Sequence, residues 1–161
     1  MNVQRTNKVR IVNNDAVNDR IQNTFPEKLR TLWDMRCDVK ELLGKTLVEV
    51  LGAEVGSDGI LFVCSDGSEY LMYHEQDCCE NVDINDICGE VSRLIGNPLL
   101  KAEAANSCEN PALDIGPVTE YDDSHTWTFY HFATIKGYVN IRWYGESNGY
   151  YSEEVDFIKL K

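Results

Sequence analysis

Six side chains able to bind a metal, exchange a proton or act as a nucleophile lie within one stretch of ten residues. The stretch is YHEQDCCENV, residues 73–82, and the six are His74, Glu75, Asp77, Cys78, Cys79 and Glu80. Thiolates, imidazole and carboxylates are the usual zinc ligands, and a thiol beside a base is the arrangement of a cysteine nucleophile. This stretch is therefore the first candidate for a functional site.

Three interpretations of the stretch stay open on the sequence. A metal site would use His74, Asp77, Cys78 and Cys79, but adjacent residues of an extended chain point to opposite faces. A thiol enzyme would need His74 to reach Cys78, which requires the chain to bend. The structural interpretation, which we favour, is a junction between a strand and a helix that begins near Asp83. In it one cysteine is buried, its neighbour is exposed, and the acids accept backbone hydrogen bonds.

A second candidate site comes from the predicted pairing of the last three strands. We expect residues 136–137 to form a two-residue turn, which places Phe132 opposite Ile141, and we expect Val139 to lie opposite Phe157. On the other face this register aligns His131, Arg142 and Glu154, next to Tyr144. Such a row is either an ion-pair ladder on an exposed sheet face or a binding site for an anion or a peptide.

The body of the chain has the pattern of β-strands joined by turns. Asp66-Gly67 is a strong signal for a two-residue hairpin turn between the apolar run 60–65 and a strand over 68–75. Because the run 60–65 is apolar on both faces, we expect it to be a central, covered strand. The seven expected strands span residues 45–55, 60–65, 68–75, 99–104, 125–135, 138–146 and 150–160.

One helix is expected over residues 83–96. Asp83 can cap its first turn, and a Gly-Asn-Pro run ends it. Ile87, Val91 and Leu94 recur at helical spacing and form an apolar face. The predicted fold class is α+β, with a mainly antiparallel sheet of about seven strands, this helix packed on it, and a helical N-terminal extension.

The N-terminal segment differs from the rest of the chain in charge. Residues 1–36 carry seven Lys and Arg against four Asp and Glu, a balance of +3, whereas residues 37–161 carry eight against twenty-three, a balance of −15. We therefore expect a basic, partly helical extension over 1–36, interrupted at Pro26, and a single acidic domain over 37–161. The helical pattern over residues 15–36 makes that segment the candidate contact of a homo-oligomer.

Composition narrows the classes of function. The chain has 161 residues and a net charge of −12, which suits one folded domain that repels nucleic acid and attracts basic protein surfaces. It has no apolar run long enough for a membrane span, and its N-terminus lacks the apolar core of a signal peptide, so we expect a cytoplasmic protein. No cofactor is expected, because no nucleotide-binding glycine loop, nucleophile elbow or HExxH motif is present. Residues 106–124 are expected to form a long loop.

Several motifs resemble a domain-of-unknown-function family of small phage and bacterial proteins. They are YHEQDCCE (residues 73–80), DICG followed by LIG, and IRWYGESNGYYSE (residues 141–153). The resemblance covers roughly residues 40–159 and leaves residues 1–36 outside. It implies a phage or mobile-element context and assigns no activity.

The function expected first is non-enzymatic. In this hypothesis the acidic surface of a phage-type protein binds a host protein with a basic surface, for example as an inhibitor of a defence protein. One alternative is a binder of a small molecule or nucleotide signal, for which Arg142, His131 and Lys136 are the available cations in the sheet. The other is a thiol- or metal-dependent enzyme that uses the cluster from His74 to Cys79.

Overall fold

The structure, a computed structural model, describes residues 10–25, 32–107 and 124–161, and these form two antiparallel β-sheets and one α-helix. The first sheet contains β1 (Leu47–Leu51), β2 (Gly59–Cys64), β3 (Glu69–Tyr73) and β8 (Asp156–Lys159), in that order. The second contains β4 (Asn81–Cys88), β7 (Gly137–Ser147), β6 (Ser124–Thr134) and β5 (Lys101–Ser107), in that order. The helix α1 spans Asp15–Thr24, and short 3-10 turns span Leu32–Met35, Val39–Leu42 and Val91–Leu94. The prediction of a mainly antiparallel β fold is confirmed, but the eight strands of the described residues form two sheets and not the predicted single sheet of about seven strands.

The main core lies between the two sheets. Strand alternation sends Ile60 and Phe62 of β2 towards the second sheet, where Phe132, Ile141 and Trp143 meet them. The ring centroids of Phe62 and Phe132 are 5.6 Å apart. The two sheets therefore form a sandwich that buries one face of each.

Helix α1 covers the outer face of the first sheet. Asn14 caps the helix by accepting a hydrogen bond from the N–H of Val17 (3.2 Å), and the helix ends just before Phe25. Pro26 follows, and the residue before a proline disfavours helical geometry. Val17 and Ile21 are fully buried and belong to the same apolar cluster as Leu61 of β2.

An ion pair joins α1 to the same sheet. Arg20 donates through Nη2 to Oε1 of Glu69 (2.9 Å) and through Nη1 to Oε2 of Glu49 (3.2 Å). Glu69 lies on β3 and is buried, so its charge requires a partner such as Arg20. Helix α1 is thus held by both apolar packing and buried charge.

Two predictions about the N-terminal segment stay predictions. One is the division of the chain into an extension over 1–36 and a domain over 37–161. The other is a homo-oligomer contact through residues 15–36. Residues 1–9 and 26–31 lie outside the described residues, and with them much of the predicted helical extension. In the part that is described, the apolar side chains of α1 are buried against their own chain.

The hairpin predicted around Asp66-Gly67 is present, but its turn consists of the three residues 65–67 rather than the predicted two, since Val63 lies opposite Glu69. Strands β2 and β3 pair around it, with Ile60 opposite Met72, and Gly67 adopts φ 86°, a conformation that favours glycine. Strand β2 lies between β1 and β3 and is buried along almost its whole length, as its apolar sequence predicts.

The helix predicted over residues 83–96 is wrong. Residues Asn81–Cys88 form strand β4, which pairs with β7, and Val91–Leu94 form a single 3-10 turn. Among the described residues the α-helix that packs on a sheet is α1, and it packs on the outer face of the other sheet.

A β-bulge explains why this segment has a helix-like pattern. Val82 and Ile84 face the core by ordinary alternation, and a register shift between Ile84 and Asp86 then turns Ile87 towards the core as well. The strand ends at Gly89, whose φ of 101° favours glycine. The bulge and the following 3-10 turn thus space the apolar residues of this segment three or four positions apart, as in an amphipathic helix.

Strands β6 and β7 pair as predicted but two residues out of the predicted register. The turn consists of residues 135–136, so Phe132 lies opposite Val139 rather than Ile141. Because the shift is an even number of residues, every side chain keeps its predicted face.

The pairing predicted for the last strand is wrong. Phe157 of β8 lies opposite Met72 of β3, in the first sheet, and not opposite Val139. Phe157 and Ile158 point to opposite faces and are both buried, one in the inter-sheet core and the other in the cluster beneath α1. In the described part of the chain, the first sheet is covered on both faces, so β8 buries both side chains there.

Two further expectations concern the loop and the membrane. Of the predicted loop over residues 106–124, the structure describes 106, 107 and 124 as strand ends, and residues 108–123 lie outside the described part. No helix in the described ranges is long and apolar enough to cross a membrane.

We predict that Ile21→Ala lowers the free energy of unfolding by about 2–4 kcal/mol, because it leaves a cavity between α1 and the first sheet. The control is Asn23→Ala, on the exposed side of the same helix, with an expected change of less than about 0.5 kcal/mol. Denaturant unfolding of the full chain measures both values. Equal, small effects would indicate that α1 is the separable extension expected from the sequence.

Candidate functional site

The stretch singled out by its chemistry connects β3 to β4 and is called here the junction loop, residues 74–80. It joins two strands, so the prediction that it leads into a helix is wrong. His74 and Glu80, at its ends, are buried, and the five residues between them are exposed.

The two buried ends of the junction loop are bonded to each other. His74 donates through Nδ1 to the backbone carbonyl of Glu154 (2.7 Å), because a carbonyl oxygen can only accept. Its Nε2 lies 2.9 Å from Oε1 of Glu80.

The Glu80 carboxylate organises the rest of the junction loop. Its Oε1 accepts the N–H of Asp77 (2.6 Å), its Oε2 accepts the N–H of Cys78 (3.0 Å), and the Gln76 amide donates to the carbonyls of Cys78 and Glu80. Burial alone would raise the pKa of Glu80, but the hydrogen bonds from Asp77, His74 and Cys78 outweigh it and lower the pKa from 4.5 to about 2. The loop therefore folds around a buried anion supplied by its own chain.

Cys78 and Cys79 lie at the tip of this loop. They are joined by a disulfide bond, and both are exposed, so the expectation that one of them enters the core is wrong. Both ring nitrogens of His74 are hydrogen-bonded to oxygen atoms, those of the Glu154 carbonyl and the Glu80 carboxylate, and not to a cysteine sulfur. In the described ranges, no group of three or more His, Cys, Asp or Glu side chains is placed to hold a metal ion.

The second predicted set does not form a row. His131 bonds through Nδ1 to Oδ1 of Asn140 (2.8 Å), and Arg142 donates through Nε to Oδ1 of Asn85 (2.9 Å). Glu154 is not on this sheet, because β8 pairs with β3 and the residues before β8 leave the second sheet. The predicted alignment depended on a third strand that lies elsewhere.

Tyr144, the fourth member of that set, belongs to an aromatic cluster on the outer face of the second sheet. It accepts a hydrogen bond from Nδ1 of His125 (2.7 Å) and donates to Oε2 of Glu146 (3.1 Å). The rings of His125 and Tyr144 stack with centroids 5.9 Å apart, and Trp127 lies 5.1 Å from Tyr144. On the same sheet, His131 and Arg142 bond instead to Asn140 and Asn85.

The structure brings the junction loop next to a feature that the sequence analysis missed. Two neighbouring cavities, of about 290 Å³ and about 230 Å³, share the lining residues Ala104, Tyr130, Glu154 and Val155, and together they are called here the inter-sheet cleft. One wall contains residues 36–39 and 153–157, and the other contains side chains of β5 and β6. The Glu154 carbonyl that accepts from His74 connects this wall to the junction loop.

Acidic side chains dominate the first wall of the cleft. Asp38, Glu154 and Asp156 line it, and Arg36 pairs with Oδ1 of Asp156 at 2.7 Å. The other oxygen of Asp156 accepts the N–H of Glu75 (2.9 Å), and burial raises the pKa of this carboxyl. The junction loop therefore adjoins the cleft at Asp156, and the exposed acids of the two, Glu75, Asp77, Asp38 and Glu154, are together called here the acidic region.

Glu153 stands apart from the other acids of the cleft. It is 8% exposed, and its Oε1 accepts hydrogen bonds from Oγ of Ser124 (2.9 Å) and Oγ1 of Thr126 (3.0 Å). Its Oε2 is buried and has no hydrogen-bond partner among the described residues. The sequence could not reveal this, because the partners of Glu153 lie on β6, more than twenty residues away in the chain.

The region that contains the junction loop and most of the cleft is also the region that comparison with known proteins identifies. The model of a family described as Domain of unknown function (DUF7448) matches residues 40–157. The chain belongs to this family. No curated protein and no solved structure matches the chain. The matched range begins after α1 and ends within β8, so it covers most of the β-sandwich. It confirms a domain-of-unknown-function family, and the phage context expected from the sequence stays a prediction.

We predict that Glu80→Gln lowers the free energy of unfolding by about 2–4 kcal/mol near neutral pH, because it removes the charge that holds His74 and the loop amides. The folded pKa of Glu80, about 2, is below its ordinary value of 4.5, so the stabilisation is complete above pH 4.5 and is lost as the pH falls towards 2. The difference in stability between the two proteins should therefore shrink over that interval, as measured by denaturant unfolding at a series of pH values. Glu90→Gln, at an exposed position, is the control. A difference that does not change with pH would show that the charge of Glu80 is unimportant.

We also predict that replacing Cys78 and Cys79 together with serine changes the free energy of unfolding by less than about 0.5 kcal/mol, because both side chains are exposed. Cys64→Ser is the matched comparison, since Cys64 is buried in the core, and it should cost about 1–3 kcal/mol. Thermal and denaturant unfolding measure both effects. A large loss in the double variant would restore the interpretation in which one of the pair is a core residue.

Proposed function

We propose that this protein is a non-enzymatic binding protein whose acidic region engages a basic surface of a partner protein. The observation that carries the proposal is that the junction loop and the cleft adjoin each other and both present exposed carboxylates. Glu75 and Asp77 are exposed on the loop, Asp38 and Glu154 are exposed at the cleft, and Asp156 bonds to the backbone of Glu75.

Charge complementarity explains what such a region would recognise. Clustered carboxylates produce a negative potential that attracts cationic surfaces and repels phosphates. The cation that lines the cleft, Arg36, is paired with Asp156, so it does not neutralise the exposed acids Asp38 and Glu154. The net charge of −12 acts in the same direction at longer range.

The alternative of a nucleotide-signal binder has less support. The three cations that it would use each have other contacts: Arg142 with Asn85, His131 with Asn140, and Lys136 through Nζ with the carbonyl of Ile95 (3.2 Å). The alternative of a thiol- or metal-dependent enzyme stays a hypothesis without a supporting contact among the described residues. The narrower hypothesis of a phage-encoded inhibitor of a host defence protein also stays a proposal, and it rests on the resemblance in sequence alone.

We predict that the triple variant Glu75→Gln, Asp77→Asn, Glu154→Gln loses a basic partner protein that the wild type captures from a cell extract, with affinity reduced by about tenfold. The control is Asp86→Asn, Glu90→Gln, Glu103→Gln, which changes the net charge equally at exposed positions outside the acidic region. Quantitative mass spectrometry of the captured proteins, followed by titration of the purified partner at two salt concentrations, measures the difference. Equal capture by both variants would contradict the proposal, as would a captured partner with an acidic surface.

A further inference from the structure

The Glu153 carboxylate is half satisfied. Its Oε1 accepts from the hydroxyls of Ser124 and Thr126, while Oε2 is buried and has no partner within the described ranges. A buried carboxylate oxygen without a donor is costly, and native structures contain few of them. Glu153 is closely packed against β7. A Cβ atom added at Gly145 of that strand would lie only 2.9 Å from Cβ of Glu153.

The described part of the chain offers no charged donor for this oxygen. Arg36, the cation on the cleft wall, is paired with Asp156. Glu153 lines the smaller of the two cavities, about 230 Å³, together with Thr126, Thr128 and Tyr130. Because Oε2 is buried, a donor that enters this cavity from outside reaches it only when the Glu153 carboxylate turns towards the cavity, while Oε1 is oriented by two hydroxyl groups.

The geometry selects among cationic donors. A guanidinium group binds best to both oxygens of a carboxylate at once, but here Oε1 is occupied by two hydroxyl groups. A primary ammonium group is a compact charge with three donors, so it needs one carboxylate oxygen and can share the rest with neutral oxygens. The hydroxyl-bearing side chains of Thr126, Thr128 and Tyr130 line the same cavity.

The remaining lining suits the alkyl chain of a lysine. Ala104 and Val155 contribute apolar surface to the cavity, and the Tyr130 side chain lines it as well. Lysine buries its methylene groups along apolar surface and keeps its ammonium group with polar partners. Exposed Glu154, at the same cavity, adds negative charge near the entrance.

We propose that Glu153 in the inter-sheet cleft is the binding site for the primary ammonium group of a lysine side chain. The assignment of that lysine to a partner protein rests on the function proposed above. The ammonium group would complete the hydrogen bonding of Oε2, and Ser124 and Thr126 would act as positioning residues that hold the carboxylate.

The test uses the full chain labelled with nitrogen-15 and two small probes of similar size, n-butylammonium and 1-butanol. We expect the ammonium probe to shift the amide resonances of Thr126, Thr128 and Val155, and the neutral probe to leave them unchanged. Glu153→Gln keeps the acceptor for Ser124 and Thr126, and it should weaken binding of the ammonium probe by about tenfold or more. Glu103→Gln, an exposed residue of β5, should not change it.

Several results would overturn this assignment. They are the absence of shifts at the cleft, equal shifts with the neutral probe, and equal ammonium binding by Glu153→Gln and the wild type. If Glu153→Gln does not fold, the comparison of the two probes on the wild type decides by itself.

A second arm separates this inference from the proposed function. The partner captured through the acidic region is titrated with the wild type and with Glu153→Gln, before and after acetylation of the partner's lysines. Lower affinity of Glu153→Gln for the untreated partner, with no difference between the two proteins once the partner's lysines are acetylated, supports a lysine in the cleft. If the partner binds Glu153→Gln as well as it binds the wild type, while the ammonium probe binds Glu153→Gln more weakly, the ligand of Glu153 is not a lysine of the partner. That result indicates a free amine as the ligand. If the wild type captures no basic partner but still binds n-butylammonium through Glu153, the proposed function is contradicted. The assignment of Glu153 as an ammonium-binding site then still stands.

Discussion

The crossing of the chain from the second sheet to the first is the constraint on which the rest of the structure depends. Residues 148–155 connect β7 to β8 and are not part of a strand, so their backbone groups need partners outside a sheet ladder. His74 supplies one by donating to the Glu154 carbonyl, and Glu80 in turn bonds to His74. The junction loop and the crossing segment are therefore mutually dependent, and the inter-sheet cleft lies along the crossing.

Buried charge is used consistently at this end of the molecule. Asp156 is bonded to Arg36 and to a backbone N–H, and Glu80 is bonded to His74 and to two backbone N–H groups. Such groups contribute little net stability, because desolvation offsets their attraction, but the loss of one partner is costly. Glu153 is the exception among these acids, because its Oε2 has no hydrogen-bond partner among the described residues. For that reason we base the proposed ligand site on Glu153 and not on the fully bonded acids around it.

The acidic region combines two levels of recognition. Exposed acids on the junction loop and at the cleft act at long range and are screened by salt, so they influence association with a basic surface without defining a precise contact. A buried carboxylate in a small cavity acts at short range and can distinguish one cationic group from another. The DUF7448 match covers both levels, since it includes the junction loop and Glu153.

The sequence by itself determined the antiparallel β character, the covered central strand β2, the Asp66-Gly67 hairpin and the faces of β6 and β7, because each follows from local alternation and turn chemistry. It also located the junction loop through its composition. Tertiary structure decided what local pattern could not. A bulge made β4 resemble a helix, and the need to bury both Phe157 and Ile158 placed β8 in the other sheet. That placement separated Glu154 from His131 and Arg142, and it brought Glu153 to hydroxyl groups of β6. These contacts join residues far apart in the chain, and their geometry depends on which sheet covers which face, which no local spacing specifies.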